Sequence, residues 1–251
     1  FSRLPDNMSN SKLYGVELDD ISGRISKQLY QNASIEIKGY EETTFSNNFF
    51  DVAIGNIPFG DYKVFDKDFN KNNFLIHDYF FAKTLDKLKE NGIVAFVTSK
   101  GTMDKSNSSV REYLSERADF IGAIRLPKNT FKSSANTEVT TDIIFLQKKS
   151  DTNNITHKEW LNIGTTEDGV PVNQYFLDNP HMLLGKMVFD NKMFGENSNY
   201  TALINEDENF NLKNALYNAI NSLESDFFIK KDLDNGIDDV QKPLITKDIK
   251  N

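Results

Sequence analysis

The chain has 251 residues and a mass of 28.7 kDa, with 37 acidic and 29 basic side chains and a formal net charge of −8. At 38% hydrophobic and 26% charged it has the composition of a folded globular protein, and no apolar run approaches the roughly 20 residues of a membrane span. It contains no cysteine, which excludes disulfides, thiolate metal sites and a cysteine nucleophile.

In chain order, Lys12–Leu18 is a short β-rich run that ends in an acidic stretch. Asp19–Tyr30 places Ile21, Ile25 and Leu29 at helical spacing, with Asp19 or Asp20 as the N-cap. Ala33–Lys38 alternates and stops at Gly39, as a strand does. Phe49–Gly55 is almost wholly apolar and predicts a strand buried on both faces. Ile76–Glu90 predicts a helix with Phe80, Phe81, Thr84, Leu85 and Leu88 on one face, capped by Asn91-Gly92. Ile93–Thr98 reads as a buried strand, Ser108–Arg117 as a helix, and Phe120–Leu126 and Val139–Gln147 as strands. Strands separated by helices imply a mostly parallel sheet covered on both faces. No helix signal separates the last two strands, so they are expected to pair antiparallel.

From residue 150 the texture changes to Asn, Asp, Thr and Gly with short apolar pieces, followed by one helix over Leu212–Leu223 and a solvated tail or linker over 230–251. The expected division is a catalytic part at 1–149 and an acidic, irregular and helical C-terminal extension at 150–251. Charge follows it: residues 1–150 hold 20 side chains of each sign, whereas residues 151–251 hold 9 basic and 17 acidic ones and so carry the whole excess.

The segment richest in chemistry is Phe50–Gly60, FDVAIGNIPFG. Open α/β sheets bind ligands at the carboxyl ends of their strands. There Asn56 offers an amide oxygen. Pro58 restricts Ile57 to an extended conformation and aims its carbonyl, and Phe59 offers a flat apolar face. Two acceptors beside an aromatic face suit a planar group bearing an exocyclic amino group. Taken alone, the same four residues equally describe a strand-to-loop turn with a buried Phe.

Asn56-Ile57-Pro58-Phe59 resembles the Asn-Pro-Pro-Phe/Tyr motif of amino-group DNA methyltransferases, chiefly the N6-adenine enzymes. It departs from that motif at Ile57, a position that contributes a backbone carbonyl. The resemblance covers residues 1–150 by order of motifs. Tyr14–Asp19 resembles the second-strand motif, which implies that Glu17, with Leu18, binds S-adenosylmethionine at its ribose. Gly39-Tyr40-Glu41 resembles the third-strand motif, which implies Glu41 at the cofactor adenine, with Glu42 as a surface charge. Leu126–Phe131 resembles the segment whose aromatic, here Phe131, stacks on a flipped target base. The strings GVELDDISGRISKQLY, IGNIPFGDYKV, IHDYFFAKTLD and TEVTTDIIFLQKK look like the methyltransferase part of large mobile-element proteins, which often join it to a helicase.

The resemblance implies a class I methyltransferase fold, a Rossmann-like α/β sheet with a reversed last strand. The glycine-rich first motif is not visible, since only 16 residues precede Glu17. The first strand is therefore expected to be missing and the chain to be N-terminally incomplete. The implied activity is S-adenosylmethionine-dependent methylation of the adenine N6 amino group in DNA, with base flipping, in the cytoplasm. DNA and a fused or associated helicase are the implied partners. Without a cysteine, the cytosine-C5 branch is excluded. Two alternatives stay open: a non-catalytic DNA-binding or scaffold module of a larger helicase-linked protein, and methylation of a protein glutamine amide.

Residues 98–132 hold seven basic and four acidic side chains, and Lys100, Lys128 and Lys132 flank the expected base pocket. They read equally as phosphate contacts and as a solvated face. His77-Asp78 is expected to cap or pack, because adjacent helix residues do not face each other. Trp160 and Tyr175 are expected in the core of the extension. No Glu, Asp and His set has metal-ligand spacing, and no metal is expected.

Overall fold

The computed structural model describes residues 1–132, 138–150, 158–190 and 199–223. The tail at 230–251 lies outside these residues. Strand β1 (Tyr14–Glu17) pairs in parallel with β2 (Ser34–Ile37), and helix α1 (Asp20–Leu29) connects them. Asp19 is the N-cap of α1, its carboxylate accepting from the Ser22 N–H at 2.7 Å, a bond that holds its pKa below the usual value.

The second sheet is built from β3 (Phe50–Asn56), β4 (Leu88–Ser99), β5 (Ala118–Leu126) and β6 (Thr141–Lys148), in the order β3-β4-β6-β5. β3 and β4 are parallel, while β6 is antiparallel to both β4 and β5. The last two strands therefore form the expected antiparallel pair, with the final strand reversed between its neighbours. It also follows that β3, β4 and β5 all run the same way, so Asn56, Ser99 and Leu126 end at one edge of the sheet. Tyr14 and Phe50, which open β1 and β3, meet edge to face with centroids 5.3 Å apart.

Two expectations about these elements are corrected. β3 is not buried on both faces: Ile54 is 79% exposed and Val52 41%. Its only strand partner among the described residues is β4, so an apolar sequence sits on an open edge. Helix α2 (Ile76–Lys87) ends three residues before the expected stop, because Leu88 already pairs with Phe50 in the sheet. Asn91, at φ 59°, instead makes a left-handed turn inside the opening of β4, where the register jumps from Leu88 to Ile93. Helix α1 forms where its spacing predicts, and its apolar stripe faces no core among the described residues. Ile21, Ile25 and Leu29 are all exposed, and the helix leans on β2 at Gly23, where a Cβ would meet Ile37.

α2 is buried along nearly its whole length and packs on β4. Short helices α3 (Gly101–Asp104) and α4 (Ser109–Ser115) join β4 to β5. Beyond residue 150 the chain is more regular than expected. It forms the hairpin β7 (Ile163–Thr165) and β8 (Pro171–Asn173), helix α5 (Gln174–Asp178), the antiparallel pair β9 (Lys186–Phe189) and β10 (Thr201–Ile204), and α6 (Leu212–Asn221). Trp160, Phe176, Met187 and Leu203 lie in the same hydrophobic core as Phe81, Phe120 and Leu146. Trp160 stacks on Phe120 at 4.7 Å with the rings 7° from parallel. The extension thus closes over β5 and shares its interior.

Candidate active site

The functional residues read from the sequence fall at carboxyl ends of strands. Asn56 is the last residue of β3 and is exposed. Ile57 is buried, its N–H donating to the Val97 carbonyl at 3.1 Å, so the parallel pairing with β4 carries on past the strand's end and anchors the turn. Pro58 is exposed and Phe59 half-buried. The fixed backbone of Ile57 beneath an exposed Asn56 leaves amide and carbonyl oxygens as the polar groups of this tip.

Glu17 closes β1, and one of its carboxylate oxygens accepts from the Asp19 N–H at 3.0 Å. Leu18 beside it is 76% exposed. Past β2, Tyr40–Glu42 forms a single 3-10 turn. Glu41 folds its carboxylate back over the α-carbon of Gly39, into the space a side chain at 39 would fill. Tyr40 is pinned to α2 by a 2.9 Å hydrogen bond with Thr84, and burial pushes its phenol up to about 12. The Glu17 carboxylate at the end of β1, one oxygen of which takes the Asp19 N–H, and the inward-folded Glu41 carboxylate after β2 are hydrogen-bond acceptors, a set that fits the hydroxyls and the amino-bearing ring of an adenosyl group.

Pro127–Lys132 leaves β5 at the edge of the sheet that carries Asn56. Its Phe131 is half-buried and packs against the core. The three lysines are already engaged. Lys100 Nζ donates to Thr201 Oγ1 at 2.6 Å and lies 5.1 Å over the Tyr200 ring, and burial lowers its pKa although Asp104 opposes this. Lys128 pairs with Asp190 at 2.6 Å. Lys132 pairs with Glu138 at 2.5 Å and keeps a mostly exposed side chain. The local basic excess is not a surface patch in full, because Arg111 and Arg125 are buried. Arg125 makes paired bonds to Asp142 at 2.7 and 2.8 Å and to Asp104 at 2.6 and 3.0 Å. Burial works against its charge, and the two carboxylates outweigh burial and hold the guanidinium protonated.

His77 does not cap α2, whose N-cap is Leu75. It is 3% exposed, and its Nε2 approaches Asp78 Oδ1 to 3.4 Å, so the two neighbours do meet. Burial pushes the imidazole below its ordinary value, which Asp78 only partly offsets.

A polar cluster went unread in the sequence. Lys83 of α2 is buried, and its Nζ donates to Asp66 Oδ2 at 3.0 Å and to the Glu41 carbonyl at 3.2 Å. Tyr79 OH donates to the same Asp66 oxygen at 2.6 Å. The available signal was Lys83 itself, set between Phe81 and Leu85 on an apolar helix.

A family model described as Eco57I restriction-modification methylase matches residues 4–131. Defense against restriction protein B of Escherichia phage P1 is 32% identical over 139 residues, which are 53% of this chain and 6% of that protein. Among solved structures, a Listeria monocytogenes protein described as a class I S-adenosylmethionine-dependent methyltransferase aligns with TM-score 0.48 and 19% identity, over 58% of this chain and 47% of its own. A protein of Vibrio vulnificus YJ016 described as a modification subunit of a type I restriction enzyme aligns with TM-score 0.48 and 13% identity, over 64% and 46%. The chain therefore spans less than half the length of each of these proteins. Among the described residues no helix is long and apolar enough to cross a membrane.

Proposed function

The chain belongs to the Eco57I restriction-modification methylase family, whose cofactor is S-adenosylmethionine, and from that premise we propose that it methylates the N6 amino group of adenine in DNA. The observation that carries this reading is the tip of β3, an exposed Asn56 over a backbone fixed by the Ile57–Val97 bond. An adenine amino group is a poor nucleophile because its lone pair is delocalised into the ring. The Asn56 amide oxygen and the Ile57 carbonyl would accept its two N–H bonds and favour a pyramidal nitrogen, whose lone pair can then attack the methyl group in line as the bond from that methyl to sulfur breaks. The work is positioning and electrostatics, with no covalent intermediate on the protein. S-adenosylmethionine, when bound, supplies the electrophilic methyl group. Glu17 and Leu18 would hold its ribose and Glu41 its adenine.

Phe59 and Phe131 offer stacking faces to a base turned out of the duplex, which offsets part of the few kcal/mol that flipping costs. Lys132 can exchange its exposed partner for a phosphate more readily than Lys100 or Lys128 can. The reaction resides in residues 1–149, and the described residues beyond 150 brace β5. The likeness to a phage protein favours a mobile-element origin, with DNA, a helicase and restriction-modification subunits as candidate partners in the cytoplasm.

In the full-length protein, Asn56→Ala should abolish adenine methylation and leave S-adenosylmethionine affinity, read by calorimetry, within about twofold. Undiminished methylation removes the mechanism. A wild-type protein that binds DNA but no S-adenosylmethionine would be the non-catalytic scaffold instead.

A further inference from the structure

We propose that Lys83 is a positioning residue that fastens the cofactor-side turn to the target-side segment and so fixes how the two substrates are spaced. The proposal rests on the methyltransferase reading above. Lys83 sits mid-helix with its side chain 5% exposed. Lysines are rarely buried unless paired, and an ammonium here has three donors to place. Two of them go to segments far apart in sequence: Asp66, seven residues beyond Phe59, and the main chain of Glu41. The Tyr40 and Tyr79 rings flank the charge at 5.2 and 5.7 Å.

Each end of this bridge holds a whole segment. Asp66 organises the stretch between β3 and α2. Its Oδ1 accepts from the Asp68 N–H at 3.1 Å, its carbonyl accepts from Phe69 and Asn70, and its own N–H donates to Asn70 Oδ1 at 3.0 Å. A displaced Asp66 carries residues 66–70 with it. At the other end, the Glu41 carbonyl belongs to the turn from which the Glu41 carboxylate projects. Thr43 Oγ1 tightens that turn by donating to the Tyr40 carbonyl at 2.7 Å. A buried ion pair adds little net stability over an apolar pair of the same shape, so stability alone does not account for a lysine here. Joining the turn that carries Glu41 to the stretch that follows Phe59 does.

The test is kinetic and uses the full-length protein. Lys83→Met should raise KM for S-adenosylmethionine and for DNA by about tenfold each, the size of one lost charge-assisted hydrogen bond at either end. Asp66→Asn keeps the shape and an acceptor for Tyr79 but weakens the target-side end. It should raise KM for DNA while leaving that for the cofactor within about twofold. Folded variants with both KM values unchanged, or a Lys83→Met protein in which only one changes, overturn the proposal. If Lys83→Met does not fold, Asp66→Asn decides alone, and an unchanged DNA KM overturns it. Hydrogen exchange separates this proposal from the activity on which it rests. Even in a protein that transfers no methyl group, Lys83→Met should speed exchange in 39–43 and 66–73 together and Asp66→Asn in 66–73 alone, and unaltered exchange in both segments of the Lys83→Met protein overturns the bridge.

Discussion

Gly39 matters for what its neighbour does. Its φ of −61° is open to any residue, so the backbone makes no demand for glycine. The demand comes from Glu41, whose carboxylate lies where a Cβ would be. Gly39→Ala should push that carboxylate outward without disturbing the turn. The expected outcome is a KM for S-adenosylmethionine raised about tenfold, near the value of one charged hydrogen bond, with thermal stability little changed. Steady-state kinetics beside a melting curve checks it. Such a requirement is invisible in a linear reading, where Gly39 is simply the residue that stops a strand. Glu17 was singled out through a motif resemblance and Asn56 as the residue that follows an apolar strand, and both close strands in the structure; the cap at Asp19 was legible because it acts over three residues. Lys83 and Asp66 were not, since they are 17 positions apart and neither has a local pattern.

Among the elements, the β5–β6 pair shows what a long-range charge cluster costs and contributes. Arg125 on β5 and Asp142 on β6 face each other in register, and Asp104 at the end of α3 completes the set. The Asn173 N–H donates to Asp104 at 3.0 Å, so β8 is tied to the same cluster. Arg125→Met should leave two carboxylates buried without their cation and destabilise the protein by about 3–5 kcal/mol, read by urea unfolding. In the sequence, Arg125 counted toward a basic surface. Its strand is apolar on both sides, and only the pairing with Asp142 reveals that the charge is internal. The hairpin itself was legible, because the sequence between its strands carries no helix signal. The open edge of β3 was not, because an apolar run specifies burial but does not supply the neighbour that would provide it.

The molecule as a whole inherits a pH dependence from α2. His77 is buried with a lowered pKa, whereas in the unfolded chain it returns to about 6.5. The unfolded state therefore takes up a proton first as pH falls. Stability is greatest above the unfolded value and is lost as pH drops through it, by up to about 1.4 kcal/mol per pH unit for a single proton. Denaturant unfolding between about pH 7.5 and 5 should show this slope, and His77→Gln should flatten it. Charge at the scale of the chain behaves differently. The excess of −8 belongs to residues 151–251 and not to residues 1–150, which are neutral overall, and so leaves DNA open as a substrate. The reversed strand β6 has a consequence for how the protein is made. It lies between β4 and β5 but follows both in the chain. On a ribosome, β4 and β5 emerge first and cannot pair with each other without blocking the slot. Until residue 148 has cleared the exit tunnel, both present unpaired edges rich in Val, Ile and Phe. That interval is when a nascent chain of this kind is most exposed to aggregation and to chaperone capture.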